Sequence, residues 1–148
     1  MERGGLIARG TSCASLAKMK SIEIAGGGLA GLSLGIALRE RGVPVMVREA
    51  STYPRHRVCG EFINGVTEDT LIHLGIADIF HDALRHHSTR WWMGPKQILE
   101  ARLTRPALGM SRWEMDERLR IRFEDIGGRL LTKDRVRPES REGLVWTA

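Results

Sequence analysis

Cysteine is nearly absent: Cys13 and Cys59 are the two in 148 residues. So few, and so far apart, they build neither a disulfide framework nor a structural zinc site, and a reducing cytoplasm is the expected setting. Long apolar runs are missing as well. No stretch approaches the roughly 18 residues needed to cross a bilayer, and Met1 to Lys18 lacks the continuous apolar centre of a signal peptide. The net charge of +5 and the pI near 9.9 come from arginines scattered along the chain. Without a dense basic block no nucleic-acid partner is expected, although the charge favours anionic small ligands. Nothing resembles a Ser-His-Asp triad, a paired-carboxylate site or a Walker loop ending in Lys-Ser/Thr, so hydrolase and nucleotidase readings fall away. His81, His86 and His87 with Asp82 invite a metal reading, but adjacent histidines at a helix end diverge, and no metal is expected.

What is present is a globular composition, 42% hydrophobic and 28% charged, enough for one compact domain with a core. Residues 1–19 are expected to form a disordered leader, with Met19-Lys20 placed where translation would start. Ser21 to Ala25 alternates apolar residues and runs into three glycines, as a buried strand entering a tight turn does. Leu29, Leu32, Leu34, Ile36, Ala37 and Leu38 then supply the apolar side of a helix stopped by Gly42. Val43 to Val47 reads as a second strand, with Pro44 near its start.

Beyond it, residues 51–65 carry Pro54, Gly60 and Gly65 and predict a long irregular connection. Thr67 caps a helix through Leu74, and a short helical piece is expected over Ala77 to Leu84. Residues 88–110 read as strands and turns without clear alternation, the possible start of a substrate-domain sheet. Ser111 opens a helix with Met115, Leu119, Phe123 and Ile126 on one face, closed by Gly127-Gly128 and followed by a strand from Arg129 to Val136. The last eleven residues, with Pro138 and Gly143, read as a chain that stops partway through a domain.

The chemistry is concentrated in Gly26, Gly28 and Gly31. They form G-x-G-x-x-G between a predicted strand and a predicted helix, the context that gives the motif meaning. Gly26 permits the turn, Gly28 leaves space for a pyrophosphate, and Gly31 lets helix and strand approach. The N–H groups near Leu29 and Ala30, backed by the helix dipole, then face the phosphates. Glu49 ends the second strand, eighteen residues after Gly31, where a carboxylate accepts from both ribose hydroxyls and repels a 2′-phosphate. Taken alone, Glu49 reads as a solvated strand end.

Residues 22–49 resemble the dinucleotide-binding signature of FAD-dependent oxidoreductases, including small Gly35 and Gly42 in step. The segment YPRHRVCGEFINGVTEDTLIHLGI is similar to the stretch after the second strand in geranylgeranyl reductase-like and aromatic-hydroxylase-like flavoproteins. ALGMSRWEMDERLRIRFEDIGGRLLTKDRV resembles the hydroxylase pattern in which Ser-Arg opens a helix before a Gly-Gly turn. The resemblance implies that Arg112 lies by the flavin, that Arg57 or Arg55 belongs to a loop over it, and that Cys59 lies near it. Ala50 and Val136 are also expected among the cofactor-binding residues. An isolated cysteine is equally an ordinary small hydrophobe. Trp91, Trp92 and Trp113 admit an apolar substrate pocket, plain core packing or an exposed broken interface. The family's downstream Gly-Asp motif is not among these residues, so the expectation is an N-terminal portion.

The fold expected is α/β: a Rossmann-like FAD/NAD(P)-binding βαβ unit with the beginning of a second, strand-containing region, an incomplete domain over residues 20–148. The function expected is the FAD-binding portion of a flavin-dependent monooxygenase or reductase acting on an apolar small molecule, with NAD(P)H as electron donor. An NAD-binding dehydrogenase half and a non-catalytic dinucleotide-binding remnant stay open. The remainder of such a protein is expected on a separate chain or not at all.

Overall fold

The three glycines follow a strand because the preceding residues bury one side of a short extended run. β1 (Ile22–Ala25) lies parallel to β2 (Val45–Arg48), with Ile24 opposite Val47. The computed structural model describes residues 21–59 and 61–136. The expected leader, residue Gly60 and the last residues of the chain lie outside that range. β2 starts two residues later than its apolar pattern indicates. The Val43 N–H is taken at 3.0 Å by the Leu38 carbonyl at the end of the preceding helix, so the ladder opens only after Pro44.

That helix, α1 (Leu29–Glu40), buries Leu32, Ile36 and Ala37 against the sheet and leaves Leu34 about half exposed. Leu34 therefore belongs to the outer face, contrary to expectation, because at 3.6 residues per turn it points away from the seam through Leu32 and Ile36. α2 (Glu68–His73) is capped as expected: the Thr67 hydroxyl accepts from the Thr70 N–H at 3.1 Å. The helix expected over Ala77 to Leu84 is shorter, a single 3₁₀ turn over Ala77–Phe80 that buries Ile79 and Phe80. The chain then leaves through His81-Asp82 because Leu84 is already paired with Gly109 in a strand.

β4 (Leu84–Met93) and β5 (Lys96–Gly109) form a long antiparallel hairpin, flanked by the two-residue β3 (Phe62–Ile63) in the order β3-β5-β4. β3 interrupts what reads as a wholly irregular 51–65 connection. Gly94, at φ 56°, opens the two-residue turn with Pro95, a position that favours glycine. Pro106 has no N–H for the ladder, and the register slips there: His86 faces Ala107 while Ser88 faces Arg102. His86 and His87 therefore lie on a strand, not at a helix end, and alternate faces send them apart.

α3 (Arg112–Asp125) is capped by Ser111, whose hydroxyl accepts from the Glu114 N–H at 3.2 Å, and it buries Met115, Leu119 and Phe123. Phe123 joins three elements. A Cβ on Gly35 of α1 would lie 2.8 Å from its ring, and one on Gly128 would lie 2.4 Å away. β6 (Arg129–Leu131) completes a parallel sheet in the order β1-β2-β6. It stops at Leu131 and does not reach Val136. The Leu131 carbonyl accepts from the Glu49 N–H, and the Asp134 N–H then donates to the Glu49 carbonyl at 2.9 Å, which bends the chain around the end of β2.

Candidate functional site

The parallel strands deliver their C-terminal ends to one place. Gly26 follows β1 with φ 102°, a conformation open to glycine, and its N–H donates to the Arg48 carbonyl at 2.8 Å. A Cβ on Gly31 would lie 1.9 Å from the Gly26 carbonyl oxygen, so the first turn of α1 can rest on the strand only without a side chain. No side chain caps α1 and no acid occupies its first turn. The N–H groups of Gly28, Leu29 and Ala30 are therefore donors that the helix itself cannot satisfy. Above Gly28 the space is open: a Cβ there meets only Arg112 Nη2, at 3.7 Å.

Glu49, at the end of β2, turns inward. It is 3% exposed, which overturns the reading of a solvated strand end. Oε2 accepts from the Gly27 N–H at 2.7 Å and Oε1 from the Ser51 N–H at 2.8 Å. The Arg55 guanidinium closes on both oxygens, Nη1 on Oε1 and Nη2 on Oε2, the latter at 2.9 Å. Burial alone would push the Glu49 carboxyl up. The bonds from Arg55, Ser51 and Gly27 outweigh it and hold the group down at about 2. Tyr53 fixes the same turn from the other side, its hydroxyl donating to the Gly27 carbonyl. Burial and the nearby Glu49 carboxylate push this phenol well above its ordinary range.

A second acid–arginine pair stands across the turn. Asp116 is fully buried, and Arg112 donates to it twice, Nε to Oδ1 at 3.0 Å and Nη2 to Oδ2 at 2.9 Å. Arg57 lies between the two acids, Nη2 3.8 Å from Glu49 and Nε 3.9 Å from Asp116. Three guanidiniums and two carboxylates thus border the open N-terminus of α1, a net positive rim suited to an anion.

Of the residues singled out in the sequence, Gly26, Gly28, Leu29, Ala30, Gly31, Glu49, Arg57 and Arg112 are assembled here. Ala50 is exposed beside Glu49, and Val136 lies in the irregular stretch after β6 without a hydrogen bond to the turn. Cys59 is exposed. Trp113 stacks on His56 with centroids 4.6 Å apart, whereas Trp91 and Trp92 are more than half exposed far out on the hairpin, so the three do not line one pocket. Sequence reasoning missed Gly27, Tyr53 and Asp116. A Cβ on Gly27 would lie 2.0 Å from the Tyr53 oxygen. Asp116 did leave a signal, its i,i+4 spacing from Arg112.

Residues 19–136 match the family model of the FAD binding domain. The chain belongs to that family. The match favours FAD over the NAD alternative, and the side-chain-free space over Gly28 with the unsatisfied donors behind it fits the diphosphate that either cofactor carries. Among curated relatives, a menaquinone reductase from Mycobacterium tuberculosis is 28% identical over 122 residues, which are 74% of this chain and 28% of that protein. One from Mycolicibacterium smegmatis is 25% identical over 125 residues, 78% of this chain and 29% of that protein. Among solved structures, 2-methyl-3-hydroxypyridine-5-carboxylic acid oxygenase is 27% identical at a TM-score of 0.68, covering 80% of this chain and 32% of that one. At 16% identity, p-nitrophenol 4-monooxygenase from Pseudomonas putida shares the fold, with a TM-score of 0.66 over 78% of this chain and 33% of that one. The chain thus spans less than a third of the curated relatives it matches, within the fold of hydroxylase-like flavoproteins. No helix among the described residues is long and apolar enough to cross a membrane.

Proposed function

We propose that this chain holds the ADP half of FAD and forms the cofactor-carrying portion of a flavin-dependent oxidoreductase that acts on an apolar small molecule in the cytoplasm. The observation that carries the reading is the buried Glu49 carboxylate, 2.7 Å from the Gly27 N–H. One rigid unit thereby contains both an acid for the ribose hydroxyls and a phosphate-sized opening over Gly28. The α1 N–H groups at Gly28, Leu29 and Ala30 would hold the diphosphate, with Arg112 and Arg57 at its edge. The bound flavin would supply the redox chemistry, drawing electrons from NAD(P)H. The menaquinone reductases among the relatives support an apolar substrate, and the exposed hairpin residues Trp91, Trp92 and Met93 support a sheet that begins its binding region.

Titration of the full chain with FAD and ADP tests this. Gly28→Val should stay folded, because a Cβ there meets only Arg112, yet lose nucleotide binding as the side chain fills the phosphate space. Gly31→Ala should instead lose the fold, because its methyl meets the Gly26 carbonyl. Glu49→Ala should weaken binding by about 1 to 3 kcal/mol, as expected for unmaking hydrogen bonds to a charged group. Unchanged affinity in Gly28→Val and Glu49→Ala would remove the assignment.

A further inference from the structure

Asp116 lies within the core, 0% exposed, on a helix whose other fully buried side chains include Leu119 and Phe123. A carboxylate in such a place is costly unless its oxygens are filled, and an apolar residue of similar size usually serves stability as well or better. Each oxygen takes one hydrogen bond, both from one side chain, with Arg57 Nε 3.9 Å from Oδ2. Arg112 spends its side-on edge, Nε and Nη2, on Oδ1 and Oδ2. A two-point contact of this kind fixes the plane of a guanidinium as well as its position. What remains is the end-on edge, Nη1 and the second hydrogen of Nη2. Among the described residues Nη1 has no protein acceptor, and Nη2 borders the opening over Gly28 at 3.7 Å from where a Cβ would stand.

We propose that Asp116 is a positioning residue that holds the free edge of Arg112 toward the diphosphate space over the glycine turn. This rests on the nucleotide-binding reading above. Asp116 touches no ligand itself, and its negative charge by itself opposes an anion. Orientation and charge therefore make opposite forecasts for its removal. If Asp116 acted through charge alone, Asp116→Asn would tighten the grip on a diphosphate. If it acts by orienting Arg112, the same substitution loosens it, because an amide offers one acceptor where the carboxylate offers two.

The experiment is calorimetric titration of the full chain with ADP and with adenosine, which keeps the ribose and lacks the phosphates. Asp116→Asn is expected to raise the ADP dissociation constant about tenfold and leave adenosine unchanged, as for the loss of one charge-assisted hydrogen bond. Arg112→Lys checks that the planar fork itself meets the diphosphate: it keeps the cation, lacks the fork, and is expected to match the Asn variant. If Asp116→Asn does not fold, Asp116→Glu decides: it keeps the charge but displaces the carboxylate by one methylene, and unchanged ADP binding there overturns the proposal. Unchanged or tighter ADP binding overturns the proposal, as does an equal loss for adenosine, which would mark a general role in the fold. A native chain that binds neither ligand removes the nucleotide reading and this inference with it.

Discussion

Glu49 shows what a single side chain can be asked to do. Its burial is offset by two backbone N–H groups and a two-point contact from Arg55, and the balance holds it at about 2 against an ordinary 4.5. A carboxyl lowered on folding lends stability that is fully present above its unfolded value and is lost as pH falls through the folded one. The contribution should be present at neutral pH and fade between about pH 4.5 and about 2. Urea midpoints measured across that window should fall in the native protein with a slope that Glu49→Gln lacks. Equal slopes would show that the group is not held low. Some of this was legible from residues alone, since an acid ending the second strand follows from spacing. Its burial was not, because Arg55 reaches it across an irregular loop, and side-chain pairings of that kind carry no periodic signal.

Elements were legible where their signals are local. The Thr67 and Ser111 caps, the Gly26 turn and the apolar spacing of Met115, Leu119 and Phe123 each act within a turn or two of chain, and each element formed nearly where it was read. The β4–β5 hairpin was not legible as two strands. Nearly all of β4 is exposed on both faces, so no burial imposes an alternating pattern on its sequence. β6 ended early for a related reason: its last partners are the backbone groups of Glu49 and Ser51, which no pattern in residues 129–136 announces. Helix packing, by contrast, depends on one ring. Because Phe123 fills the contacts left by Gly35 and Gly128, Phe123→Ala should cost about 3 to 5 kcal/mol in chemical unfolding. A loss below about 1 kcal/mol would mean that α1 and α3 close over the gap.

At the scale of the molecule, one rule organises the site. Ligands of open parallel sheets gather beyond the carboxyl ends of the strands. Here β1 ends at the glycine turn, β2 at Glu49 and β6 at the bend that clasps Glu49. The antiparallel sheet stands apart from that edge, joined to the core mainly through Ala107 and Leu108 at the base of its hairpin. The ends of the parallel strands would also set how the proposed nucleotide gains entry. A carboxylate has room for roughly four donated hydrogens, and at Glu49 Gly27, Ser51 and the paired nitrogens of Arg55 occupy it. The backbone donors stay where the turn puts them, so on the proposed reading an incoming diol would be admitted only as the guanidinium withdraws. Occupation would then proceed by eviction, and the pace of loading should level off at high nucleotide concentration in stopped-flow traces. Arg55→Met should lift that ceiling; a rate that climbs without limit in the native chain would show that the doorway was never shut.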